Sequence, residues 1–154
     1  MHSLHCMKGV SLLQTGLMGN FSQTMDTKGR MSFPQKLRDI IGDKFIITNG
    51  IDGCLFVYSL DDFERIARKL GEVPMSKGRA IQRRLMSWAV EVEADKQGRI
   101  LIPSNLREQA GLEKDIIVAG VVDRCEIWDR QRWNDFNAAV DDEELMKALE
   151  GTDF

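Results

Sequence analysis

The sequence predicts an α+β fold, mainly β with short helices, built from one unit used twice with a pseudo-two-fold inside the chain. Three observations predict it. First, Asp26-Thr27-Lys28-Gly29-Arg30-Met31-Ser32-Phe33-Pro34 returns as Asp95-Lys96-Gln97-Gly98-Arg99-Ile100-Leu101-Ile102-Pro103. Over windows 26–42 and 95–111, seven of seventeen positions are identical without a gap, at a constant offset of 69 residues. Second, short alternating or apolar runs are separated by turn residues, the pattern of strands. Third, the helical periods are short, and most follow Pro, Ser or Asp.

In order along the chain, residues 1–16 have no counterpart in the second half. They read as an unmatched N-terminal extension, with translation expected to start near Met18. His2, His5 and Cys6 lie there, too few ligands for a metal site. Residues 17–70 form the first unit. Phe21 to Met25 reads as a strand and Asp26 to Gly29 as a turn, with Asp opening it and Gly permitting a positive φ. Arg30 to Phe33 returns as a strand. Pro34 suits the start of a helix over Gln35–Ile41, which stops at Gly42. Phe45–Thr48 and Cys54–Tyr58 pair through a hairpin turn at Asp52-Gly53. Ser59 with Asp62 resembles a capping box, and Phe63, Ile66, Ala67 and Leu70 make a core-facing helical stripe.

Residues 71–87 read as linker and helix: Gly71 to Gly78, including Pro74, as the linker, then a helix from about Arg79 to Met86. Residues 88–137 repeat the first unit. They run through a strand over Trp88–Ala94, the turn 95–98, the strand 99–102, the Pro103 helix ending at Gly111, and strands Ile116–Val122 and Cys125–Trp128 joined at Asp123-Arg124. Asp129 caps a helix carrying Trp133, Phe136 and Val140. Residues 138–154 form an acidic tail. Such a small unit buries little apolar surface alone, so the two are expected to interlock and complete each other's core.

The composition, 43% hydrophobic and 29% charged, is that of a globular protein, and no apolar run is long enough to span a bilayer. No secretion signal is visible, and three scattered cysteines fit reduced thiols in a cytoplasmic protein. Cys54 and Cys125 fall at matching places, which points to packing. The net charge of −3 argues against nucleic acid until its distribution is considered. Residues 141–154 carry six acids and one lysine, a local −5, which leaves +2 on the other 140 residues.

The two Asp-x-x-Gly-Arg turns are the candidate site. Arg30 and Arg99 stand at exposed turns, with Lys28 in one and Lys96 and Gln97 in the other. An arginine fork can bond guanine or phosphate bidentately. Asp26 and Asp95 either cap the turn backbone or orient the basic neighbour. The alternative is a purely structural Asp–Arg bridge across each turn; duplication of the whole constellation favours function. Arg38 and Arg107, in the helices after the turns, either pair with acids or touch a ligand. Lys77, Arg79, Arg83 and Arg84 fit a solvated helix face that lends a non-specific phosphate term. The histidines lie outside the repeated body, and no phosphate loop, dinucleotide fingerprint or catalytic carboxylate pair stands out. Neither an enzyme nor a cofactor is expected.

Leu17-Met18-Gly19-Asn20-Phe21, the two nine-residue stretches, Asp52-Gly53-Cys54-Leu55 and Glu126-Ile127-Trp128 together closely resemble the MraZ family over roughly 17–133. These are bacterial transcriptional regulators built from paired AbrB-like swapped-hairpin, double-psi-barrel-like units. The resemblance implies a ring-shaped homo-oligomer that binds double-stranded DNA at short promoter repeats. It also implies repression of the cell-division and cell-wall gene cluster, and residence on the nucleoid. It places DNA contact on Arg30 and Arg99, with Lys28 as helper, and implies neither a small-molecule substrate nor a membrane. Gln97 in place of a basic residue makes the two turns unequal. A second expectation, from AbrB-like antitoxins, is a protein-interaction module whose tail, 141–154, wraps a partner.

Overall fold

The computed structural model describes residues 16–153. Among the described residues, eight strands and six helices follow one another as β1 (Asn20–Thr24), β2 (Arg30–Ser32), α1 (Gln35–Ile41), β3 (Lys44–Asn49), β4 (Leu55–Ser59), α2 (Leu60–Glu72), α3 (Met75–Met86), β5 (Val90–Glu93), β6 (Arg99–Leu101), α4 (Ser104–Ala110), β7 (Asp115–Val121), β8 (Arg124–Asp129), α5 (Arg130–Ala139) and α6 (Asp142–Ala148). The fold is α+β, and each predicted element is present.

The strands form an antiparallel six-stranded sheet in the order β1-β7-β8-β4-β3-β5 and a separate ribbon, β2-β6. That order reads the same from either end once the two units are exchanged. β1 of the first unit pairs with β7 of the second, and β5 of the second with β3 of the first. The units are therefore interlocked, which is the swapped-hairpin arrangement. The sheet is open, with β1 and β5 at its edges, rather than closed into a barrel.

The central strands are apolar on both faces because both are covered. One face carries Phe45, Ile47, Leu55, Val57, Ile116, Val118 and Ile127 against the ribbon's Met31 and Ile100 and the short helices' Leu37 and Leu106. The other carries Phe56, Tyr58, Ile117 and Trp128 against Phe63, Ile81, Leu85 and Trp133 from α2, α3 and α5. Cys54 and Cys125 are free and fully buried. Burial raises both thiols, Cys125 to about 12, so they stay protonated and pack.

Three local expectations are corrected. α3 starts at Met75, not near Arg79. Pro74 caps its start, where a missing N–H costs nothing, and Gly78 lies inside the helix with Val73 packed where a Cβ would stand. The β7–β8 loop is Val122-Asp123 rather than Asp123-Arg124. Arg124 is drawn into β8 by Glu126, 2.8 Å away, and by the Phe56 ring, 4.7 Å below its guanidinium. Val122 takes the positive φ of 65° instead, held by paired backbone bonds to Leu17. The acidic tail contains a helix: Asp141 accepts from Glu144 N and starts α6, which has no buried residue.

Candidate nucleic-acid interface

The two Asp-x-x-Gly-Arg turns have the same internal wiring. In the first, Asp26 Oδ1 accepts from the backbone N–H of Lys28 and of Arg30, both at 2.9 Å. Its Oδ2 accepts from Arg30 Nε at 2.8 Å. In the second, Asp95 Oδ1 accepts from Gln97 N and Arg99 N at 2.9 Å, and Oδ2 from Arg99 Nε at 3.1 Å. Each aspartate thus caps the turn and aims its arginine, so the two roles considered from sequence coexist. Chiefly because of the Arg30 backbone N–H, the Asp26 carboxyl is lowered from 3.8 to about 2. Asp95 is lowered in the same way by the Arg99 N–H.

Nε is the only nitrogen that Asp occupies on each arginine. The terminal amino nitrogens of Arg30 and Arg99 make no other hydrogen bond among the described residues. Both side chains are about half exposed, at 51% and 49%. Lys28, Lys96 and Gln97 are exposed at the turn tips.

The antiparallel ribbon, with one turn at each end, brings the two arginines onto one face. β2 and β6 pair as Arg30↔Leu101, Met31↔Ile100 and Ser32↔Arg99. Met31 and Ile100 point into the core; Arg30, Ser32, Arg99 and Leu101 face outward. Arg30 and Arg99 are diagonal neighbours on that face, with Cα atoms about 7–8 Å apart in such a pair. They line one open groove of about 800 Å³ with Ser32, Arg107, Glu113 and Lys114.

Gly29 (φ 90°) and Gly98 (φ 79°) are needed twice over. Beyond the turn geometry, each lies beneath an arginine of the other unit. A Cβ on Gly29 would be 2.6 Å from Arg107 Nε; one on Gly98 would be 2.9 Å from Arg38 Cζ. Arg107 Nε donates to Ile102 O at 2.9 Å, and Arg38 Nε to Phe33 O at 3.0 Å. Backbone bonds Ile102 N to Gly29 O and Phe33 N to Gly98 O, both 2.9 Å, complete a reciprocal clamp. Sequence reasoning left the role of Arg38 and Arg107 open. Their repetition in Leu-Arg pairs was the available signal, but the glycine each covers belongs to the other unit.

Lys77, Arg79, Arg83 and Arg84 are not brought to this face. α3 packs by Ile81 and Leu85 on the side of the sheet opposite the ribbon. His2, His5 and Cys6 lie outside the described residues. Among the described residues no group of three or more His, Cys, Asp or Glu could hold a metal ion, and no helix is long and apolar enough to cross a membrane.

The duplication has a match among known families. The family model "MraZ protein, putative antitoxin-like" matches residues 17–84 and again 85–153. The chain belongs to the MraZ family. Among curated relatives, the transcriptional regulator MraZ of Caldanaerobacter subterraneus subsp. tengcongensis is 50% identical over 127 residues, covering 81% of this chain and 89% of the relative. That of a Thermoanaerobacter species is 48% identical over 138 residues, 87% and 96% of the two chains. That of Heliobacterium modesticaldum is 46% identical over 136 residues, 86% and 95%. These MraZ proteins are named as transcriptional regulators.

Proposed function

We propose that this chain is a DNA-binding transcriptional regulator that reads double-stranded DNA with the outward face of the β2–β6 ribbon. The observation that carries this is the pairing of Arg30 and Arg99 on one face, each held through Nε by an aspartate with its terminal nitrogens open. The major groove, about 12 Å wide, admits a two-stranded ribbon. An arginine fork matches guanine O6 and N7. With their Cα atoms about 7–8 Å apart, the two arginines are spaced for roughly two base-pair steps of 3.4 Å. Lys28, Lys96 and Gln97 at the tips reach the flanking backbone or bases.

One ribbon gives a weak complex, since a bidentate pair discriminates by only ~1–3 kcal/mol. A ring-shaped homo-oligomer that meets tandem short promoter elements raises avidity by roughly 10²–10⁴-fold. In this reading the protein acts in the cytoplasm, on the nucleoid, as a repressor of the cell-division and cell-wall gene cluster. The relatives' designation as transcriptional regulators and the ribbon geometry support the DNA-binding core of this reading. The test is a gel shift on the chain's own upstream region. Arg30→Ala and Arg99→Ala are each expected to weaken binding by roughly 5–150-fold, the equivalent of one lost bidentate contact. Unchanged binding by a folded double mutant would sink the mechanism.

A further inference from the structure

The two clamp arginines occupy matching places, but their charges do not. Arg38 Nη1 is ion-paired with Asp43 Oδ1 at 3.0 Å, and its side chain is only 17% exposed. The residue at the place of Asp43 in the second unit is Leu112, which is buried and uncharged. Arg107 therefore has no acidic partner among the described residues. Its Nε is used by Ile102 O, and its terminal nitrogens make no hydrogen bond there. It lines the same groove as Arg30 and Arg99. Of the acids of that groove, Asp26 is committed to Arg30, and Glu113 forms no ion pair with Lys114 or Arg107.

We propose that Arg107 is a third DNA-contacting arginine, acting on a phosphate from beside the first turn, while Arg38 serves only to hold the second turn. This rests on the ribbon being the DNA-reading face. A half-buried guanidinium with no counter-ion beside two open arginines is completed by an anion, and phosphate is the anion a groove-bound ribbon meets. Arg38 differs from Arg30 and Arg99 in that its acid takes a terminal nitrogen and its side chain is largely covered. The first turn then presents Lys28, Arg30 and Arg107 to the DNA, and the second only Lys96 and Arg99.

The test measures binding of a labelled duplex from the chain's upstream region between about 50 and 200 mM salt, the range over which phosphate contacts are read from slopes. Arg107→Gln is expected to flatten the plot of log K against log[salt] by about 0.9 per engaged chain. Arg107→Lys, which keeps the charge, restores the slope, and Arg68→Gln, an exposed charge of α2 on the sheet face opposite the ribbon, leaves it unchanged. Should Arg107→Gln fail to fold by circular dichroism, Asp43→Asn serves on the exposed surface. It frees Arg38 and is expected to steepen the slope by about 0.9. An unchanged slope in Arg107→Gln, an equal flattening in Arg68→Gln, or an unchanged slope in Asp43→Asn overturns the proposal. Wild-type protein that shifts no duplex, or an Arg30→Ala variant that binds as well as wild type, instead removes the DNA-reading ribbon itself.

Discussion

A methyl group on Gly29 would sit 2.6 Å from Arg107 Nε and 2.7 Å from the Ile102 carbonyl oxygen. The arginine can swing aside, but the carbonyl is backbone and cannot. Gly29 also has a φ of 90°, which side-chain-bearing residues rarely adopt. Gly29→Ala is therefore expected to destabilise by about 2 kcal/mol and to lower the melting temperature by roughly 4–8 °C in a calorimetric scan. The aspartate beside it sets a pH dependence whose sign is fixed. Asp26 titrates at about 2 when folded, against an ordinary 3.8. Between these values the unfolded chain binds more protons than the folded one. Its contribution is therefore present above about pH 4 and is lost as the pH falls through about 2. In Asp26→Asn, acid unfolding is expected to lose the part of its slope that falls in this window, as followed by circular dichroism. These turns were legible in the sequence because Asp, Gly and Arg act within four residues of one another. The clamp was not, because Arg107 and Gly29 meet only through the fold.

The helices depend on a few polar anchors at their ends. Ser59 Oγ accepts from Asp62 N at 3.1 Å and starts α2. This is half of the capping box expected from the spacing, since the Asp62 carboxylate turns to Arg65 instead. The end of α3 is held by Thr48 Oγ1, which donates to Leu85 O at 2.7 Å while fully buried. That carbonyl belongs to the last turn, where no helical N–H follows to satisfy it. Thr48→Val keeps the shape and removes the donor. It is expected to cost about 1–3 kcal/mol, the penalty of an unmet buried acceptor, seen as a lower urea midpoint without a change in slope. Most elements could be read in advance because their alternation, proline starts and glycine stops agree with the fold. α3 was misplaced because Pro74 and Gly78 act as helix breakers in isolation. In the fold Gly78 lets Val73 pack at the corner, and Gln82 Nε2 donates to Leu70 O at 2.7 Å to close the end of α2. The Val122 turn was unreadable for a similar reason. A β-branched residue at positive φ is disfavoured locally, and only the Leu17 bridge and the pull on Arg124 explain it.

At the scale of the molecule, the two units do not fold side by side. Of the strand pairs in the structure, only β3–β4 and β7–β8 join strands of one unit; β1–β7, β2–β6, β3–β5 and β4–β8 all join one unit to the other. The tail stands apart from this. α6 buries no residue, so a chain ending at Val140 is expected to keep its melting temperature and its DNA affinity. A co-purifying partner lost with that truncation would favour the interaction-module alternative. The interlock makes a stronger demand. A chain of residues 17–84 alone would retain a single hairpin, β3–β4, from the large sheet, and half of a ribbon. An isolated two-stranded hairpin is at best marginal in water. Met31, Phe33, Phe45 and Ile47, all buried now, would lose the second unit's Ile100, Ile102, Ile116 and Ile127 from their cluster. The same pairing surfaces on a second copy of 17–84 can replace those lost, because the sheet order is unchanged when the units are exchanged. The half-chain is therefore expected to be unfolded at low concentration and to gain strand signal only as it dimerises. Circular dichroism and sedimentation across a concentration series would check this. A folded monomer of 17–84 would show that each unit holds its own core, and that the swapped strands are an addition to the fold rather than its basis.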